Sequence, residues 1–304
     1  MSRCSRSCST SPASPPAWVA TPGGNTCTGF TEAAGKFGLD LVDASLASAF
    51  CDYDCDGDLD LYLLNNRYYA PKGFPSPEPE TLSAEQKKYF QLVPGPGGRK
   101  TLNIVPRRDR LLRNDAGKFT EVSVAAGITD DPRHGLAATW WDYNKDGWPD
   151  LYVSNDFDDP DSLYHNNGDG TFTDVTSAVL PHTAWFSMGA DSADINNDGW
   201  PDFLAADMSG TTHYKDKTTM GAMGARLWVT QAEPRQYMRN ALYLGTGTSR
   251  MMEAAYLAGV ADSDWTWAVK FSDFDGDGRD DLFLTNGMTR NFNNSYITKN
   301  FNKA

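Results

Sequence analysis

No stretch of this 304-residue chain is apolar for the roughly 20 consecutive residues that a membrane-spanning helix requires. The start, MSRCSRSCSTSPASPPAWVATPGG, is basic and then rich in Ser and Pro, and it lacks the apolar run of a secretory signal. Positive charge is scarce. The 27 Lys and Arg face 40 Asp and Glu, a net −13, which excludes the basic stripe a nucleic-acid partner needs. Cysteine is absent beyond position 55. Cys4, Cys8, Cys27, Cys51 and Cys55 are odd in number, so at least one is unpaired within the chain. Their C-x3-C spacing fits no common zinc framework, and Cys51 and Cys55 read as packing or loop residues. Catalytic signatures are missing too: there is no HExxH, GxSxG or P-loop. His134, His165, His182 and His213 do not form a recognisable catalytic pattern, and the chain reads as a non-enzyme.

What is abundant is aspartate, and it is not spread evenly. Sixteen Asp lie inside four nine-residue loops of the pattern Asp-x-(Asp/Asn)-x-Asp-Gly-x-x-Asp. Such a loop can turn the side chains at positions 1, 3, 5 and 9 inward, with a sharp turn at the Gly and a backbone carbonyl at position 7. That is the oxygen-only shell calcium prefers. In the first loop the ligands would be Asp52, Asp54, Asp56 and Asp60, with the carbonyl of Asp58. In the second they would be Asp142, Asn144, Asp146 and Asp150, with the carbonyl of Trp148. The third offers Asp194, Asn196, Asp198 and Asp202, with Trp200; the fourth offers Asp273, Asp275, Asp277 and Asp281, with Arg279. Up to four Ca²⁺ are expected, and four would cancel eight of the thirteen net negative charges. Without a cation these carboxylates would repel one another. An EF-hand needs an acid at position 12 and flanking helices. Position 12 is Leu63, Val153, Ala205 or Leu284, and strand-like segments follow, so the EF-hand is excluded.

The loops are the beat of an internal repeat. Upstream of each stand an apolar residue (Phe30, Phe119, Phe172, Met251), an acid two residues on (Glu32, Glu121, Asp174, Glu253), and then Gly38, Gly127, Leu180 or Gly259. Downstream come short apolar strands, LYLLNN, LYVSN, FLAAD and LFLTN, reaching Asn65, Asn155, Asp207 and Asn286. DSLYHNNGDGTFTDVT and RLLRNDAGKFTEV read as hairpins, and ALYLGTGTSRMMEA as a looser one. One unit is thus two hairpins, about the size of a four-stranded propeller blade. Residues 67–109 and 209–239 are insertions, the first with a short helix in TLSAEQKKYFQL started by a Ser83…Gln86 capping box. Residues 1–26 read as a disordered or non-native segment, and 27–304 as the repeat domain. Trp140, Trp141, Trp148, Trp185, Trp200, Trp265 and Trp267 are expected to fill between blades or cover loop ends rather than form a sugar platform.

These motifs (DYDCDGDLDLYLLN, DYNKDGWPDLYVSN, DINNDGWPDFLAAD, DFDGDGRDDLFLTN) resemble the FG-GAP / VCBS repeat, the blade of integrin α-subunit-type β-propellers. NNGDGTFTDVT looks like the bacterial, cartilage-acidic-protein-like branch, and its C-terminal ASPIC/UnbV domain is not visible. The resemblance implies an all-β, calcium-stabilised propeller with two inserted loops. It further implies an extracytoplasmic place (secreted, periplasmic or cell-surface) and non-catalytic adhesion to a protein or carbohydrate ligand. The missing signal conflicts with that place unless the true start lies upstream. Family propellers typically have seven blades, and this chain shows about four units. A piece of a larger propeller or surface assembly is therefore expected over a closed four-blade ring, which would need a partner strand before Phe30. Incomplete blades would then offer edges for association. A polysaccharide-active enzyme is the remaining alternative.

Overall fold

The computed structural model describes residues 18–23, 26–73, 75, 79–94, 100–128, 132–156, 159–219 and 233–287. Among them, three four-stranded antiparallel sheets follow one another, each with its strands in chain order. Sheet 1 uses Ser45–Cys51, Asp60–Asn65, Arg110–Asp115 and Lys118–Glu121. Sheet 2 uses Gly135–Trp141, Asp150–Asn155, Ser162–Asn166 and Phe172–Asp174. Sheet 3 uses Gly189–Ala193, Asp202–Ala206, Ala241–Leu244 and Met252–Glu253. A last hairpin, Asp264–Ser272 with Asp281–Asn286, repeats the first two strands. The chain is all-β, and the two-hairpin unit read from the sequence is the unit that forms.

The second strand of each sheet explains the order of packing. Tyr62 and Leu64 face sheet 2, where they meet Leu151, Val153 and Phe172. On sheet 2, Trp141, Tyr152 and Leu163 turn the other way, towards Phe203 and Ala205 of sheet 3. Leu204, Ala206 and Leu242 in turn meet Val269, Phe271, Leu282 and Leu284 of the last hairpin. A strand buried on both faces must be apolar throughout, which is why FLAAD shows no alternation. The first strands of successive sheets lie side by side. Trp140 stacks on Tyr53 and Trp141 packs against Phe203, as expected for rings that fill between sheets, whereas Trp267 is 49% exposed.

A hydrogen-bonded clamp closes the end of each sheet away from the Asp-rich loops. The amides of Asn65 and Asn155 donate to Asp109 and Asp161, each at 2.7 Å. Those acids also accept from Tyr62 and Tyr152. In sheet 3 the pair is exchanged: the Asp207 amide donates to Asn240 at 2.8 Å, and the tyrosine position is Leu204. An acid is kept where a phenol donates to it, and an amide replaces it where none does.

Two expectations are corrected. Residues Trp18–Gly23, assigned to a disordered segment, form a strand paired antiparallel with Thr26–Glu32. The remainder of 1–26 lies outside the described residues, except Thr26 itself. In the first insertion the capping box forms reciprocally, Ser83 N to Gln86 Oε1 at 3.0 Å and Gln86 N to Ser83 Oγ at 3.2 Å. It starts only a 3₁₀ turn, Gln86–Lys88. Phe90–Pro94 then leaves as a strand paired with Lys100–Ile104, because pairing satisfies its backbone where a longer helix would have no apolar face to bury. Most of TTMGAMGARLWVTQ in the second insertion lies outside the described residues.

Gly127 shows how tightly the sheets are joined. Its φ is +79°, and a Cβ there would lie 2.6 Å from the carbonyl oxygen of Phe172. Gly147 has φ +92° with nothing within 4 Å. Gly127→Ala should therefore cost about 2–3 kcal/mol and Gly147→Ala about 1 kcal/mol in urea titrations. Equal losses would show that the close approach to Phe172 is unimportant.

Candidate metal sites in the Asp-rich loops

All four loops adopt one backbone. Position 6 is left-handed, with φ of 98°, 92°, 88° and 86° at Gly57, Gly147, Gly199 and Gly278. Position 4 is left-handed as well, at Cys55, Lys145, Asn197 and Gly276. The second feature went unread, although Asn and Gly at two of the four positions are its signal.

Each carboxylate position has a fixed task. At position 1, Asp52 accepts from the amides of Asp56 and Gly57 at 3.0 and 3.1 Å, and Asp142, Asp194 and Asp273 do likewise. At position 5, Asp56, Asp146, Asp198 and Asp277 accept the amides of Asp58, Trp148, Trp200 and Arg279 at 2.8–2.9 Å. At position 9, Asp60, Asp150, Asp202 and Asp281 accept the amide of position 2 at 3.1–3.2 Å. The other oxygen of Asp60, Asp150 and Asp202 accepts an amide of the third strand, from Asn114, Asn166 and Gly245 at 2.8, 2.8 and 2.7 Å. Position 9 thus ties the loop to the sheet.

The third strand returns the contact. Asn114 Nδ2 donates to the Leu59 carbonyl at 2.9 Å, and Asn166 Nδ2 to the Pro149 carbonyl at 3.0 Å. In sheet 3 the residue is Gly245, and the Pro201 carbonyl would be 2.4 Å from any Cβ there. Trp148 lies against Gly168 and Trp200 against Gly247, while Asp58 accepts the Ala116 amide at 2.8 Å. Position 7 therefore locks the loop onto the neighbouring glycine turn, as expected for the Trp side chains. His165, on the third strand of sheet 2, places Nδ1 3.1 Å from Asp150 Oδ1.

The loops differ in which oxygens they gather. Carboxylate oxygens of Asp52, Asp54 and Asp60 lie within 4.8 Å of one another, as do those of Asp273, Asp275 and Asp281. Asp56 and Asp277 stand outside these groups. In loops 2 and 3 the position-3 amides, Asn144 and Asn196, donate to Asp146 and Asp198 at 2.9 and 3.0 Å. Asp54 Oδ1 is buried with no hydrogen-bond partner, an arrangement that suits a cation. Burial pushes Asp60 up to about 7, Asp150 to about 8 and Asp202 to about 6, against the backbone amides that favour the anion. Asp52, Asp54 and Asp142 are raised by burial too, with the nearby position-5 carboxylate adding to it.

Fold and site together define an all-β repeat chain whose sheets are each closed at one end by a nine-residue Asp-rich loop. Residues 142–205 match the FG-GAP-like repeat family, from the first ligand position of loop 2 into the second strand of sheet 3. No curated protein sequence matches the chain. Among solved structures, the chain is similar to an Agrocybe aegerita lectin that specifically recognises non-reducing terminal N-acetylglucosamine. The identity is 14% and the TM-score 0.35, over 88% of this chain and 68% of that one. It is also similar to the exotype rhamnogalacturonan lyase YesX, at 14% identity and a TM-score of 0.30, over 80% of this chain and 43% of that one.

Proposed function

We propose that this chain is a calcium-stabilised array of propeller blades, a binding or adhesion module without chemistry of its own that works outside the cytoplasm. The observation that carries the metal reading is the unpartnered Asp54 Oδ1, set among the carboxylates of Asp52 and Asp60 in a backbone that recurs four times. The donors are oxygens, which favours calcium over softer metals. Loops of this kind in extracellular modules bind with dissociation constants of about 10⁻⁴–10⁻³ M, so they fill only where calcium is plentiful. The blade reading is supported by sheets that succeed one another face to face, with their first strands adjacent. The partner proposed is a protein or carbohydrate ligand.

Terbium tests the site directly, because it replaces calcium and is excited through nearby indoles. Trp148 and Trp200 stand at position 7 of loops 2 and 3, so sensitised terbium emission is expected and calcium should compete it away. Trp148→Phe together with Trp200→Phe should remove most of the signal. An absence of sensitised emission from the wild-type protein would refute metal binding at these two loops.

A further inference from the structure

The two ends of the array carry complementary halves of one missing sheet. At one end, Asp281–Asn286 pairs with Asp264–Ser272 and, among the described residues, with nothing on its other edge. It is a second strand without a third. At the other end, Trp18–Gly23 and Thr26–Glu32 form a hairpin that, among the described residues, pairs with no further strand. Its register is that of the outer hairpin of a sheet. In sheets 1, 2 and 3, Glu121, Asp174 and Glu253 stand opposite Leu112, Tyr164 and Tyr243. Those three residues in turn stand opposite Leu61, Leu151 and Phe203 of the second strands. Glu32, the equivalent acid, stands opposite Trp18. Trp18–Gly23 is therefore a third strand without a second, and the matching position on the open edge is Leu282.

The neighbouring faces agree. Phe283 is 56% exposed, whereas its equivalents Tyr62, Tyr152 and Leu204 are at most 1% exposed beneath the next sheet. Phe50 is 50% exposed, whereas its equivalent Phe271 is 7% exposed against the preceding sheet. Among the described residues, then, Phe283 and Phe50 stay half exposed, although Leu61 opposite Phe50 is covered by Phe37 and Phe119, and no strand pairing joins the two hairpins.

We infer that the occupant of each open end is a second copy of this chain. The Trp18–Glu32 hairpin of one copy adds to the Asp281–Asn286 edge of the other, and the Phe283 face of the second covers the Phe50 face of the first. The contact is head to tail and continues the sheet-to-sheet packing made three times inside the chain. It holds whichever way the terbium experiment falls.

Light scattering of the full chain tests this. The wild-type protein should run at two or more times the 33.4 kDa of one chain. Phe283→Glu and Phe50→Glu, each on an exposed face, should each run as a single chain with an unchanged melting curve. Mixed, they should regain pairs, because one variant keeps an intact Phe50 face and the other an intact Phe283 face. A wild-type monomer at every concentration would overturn the inference, including one closed on itself by its own hairpin. So would an assembly that neither variant disturbs, or a mixture that stays monomeric.

Discussion

Chelating calcium should lower the melting temperature by about 10 °C at neutral pH, and the gap should widen as pH rises. The size follows from mass action. A site at ten times its dissociation constant gains roughly 1.4 kcal/mol, and four sites gain roughly 5–6 kcal/mol. The pH dependence follows from the position-9 carboxylates. In the metal-free protein burial raises Asp202 to about 6, Asp60 to about 7 and Asp150 to about 8. In the unfolded chain the same groups titrate near 3.8. Between those values the folded state holds protons that the unfolded state has released. Stability therefore falls as pH rises through this window, and the favourable contribution is fully present only at its acid end. A bound cation takes the proton's place and removes much of that slope. It does not remove all of it. Asp109 and Asp161, raised to about 7, and Asp207, raised to about 6, are buried in the clamps and shift the same way without being ligands. Melting curves at several pH values, with calcium and with chelator, read both effects. Superimposed curves across the whole range would end the calcium reading.

The loops and the two-hairpin unit were legible because each rests on local chemistry. A glycine must sit where φ is near +90°, and an Asp must sit where a carboxylate accepts amides two to five residues away. The strands were legible because burial on both faces leaves an apolar run. What was hidden depends on partners distant in sequence. Nothing local marks Asp109 as the acceptor for Asn65, 44 residues earlier, or Asn166 as the donor to Tyr53, 113 residues earlier. The strand at Trp18–Gly23 was missed for a different reason. TPGGNTCT, with its Pro and paired Gly, reads as a poor strand, yet residues 21–23 end one strand and residues 26–28 begin the next, and those strands are only six and seven residues long. Composition rich in Ser and Pro just upstream masked them.

Asp150→Asn separates the two tasks of position 9, and the loss should be unequal in the two buffers. One oxygen of Asp150 accepts the Asn166 amide at 2.8 Å and the other accepts the Tyr143 amide at 3.2 Å. An asparagine has a single acceptor oxygen, so one of those amides loses its partner, at about 1–3 kcal/mol. In chelator that loss is partly offset, since at neutral pH Asp150, which titrates at about 8, already carries a proton and the substitution removes no charge. In calcium there is no such offset, and the ligand charge of loop 2 is lost as well, which adds roughly 1.4 kcal/mol. A drop of about 6 °C is expected in calcium and about half of that in chelator. Asp281→Asn supplies the comparison. Its carboxylate is exposed, and among the described residues it accepts only the Phe274 amide, at 3.1 Å. Its effect should therefore be small in chelator and confined to the calcium condition. If Asp150→Asn cost the same in both buffers, the carboxylate would be a purely structural tie between loop and third strand. Loop 2 would then be an Asx-rich turn that never needed a metal.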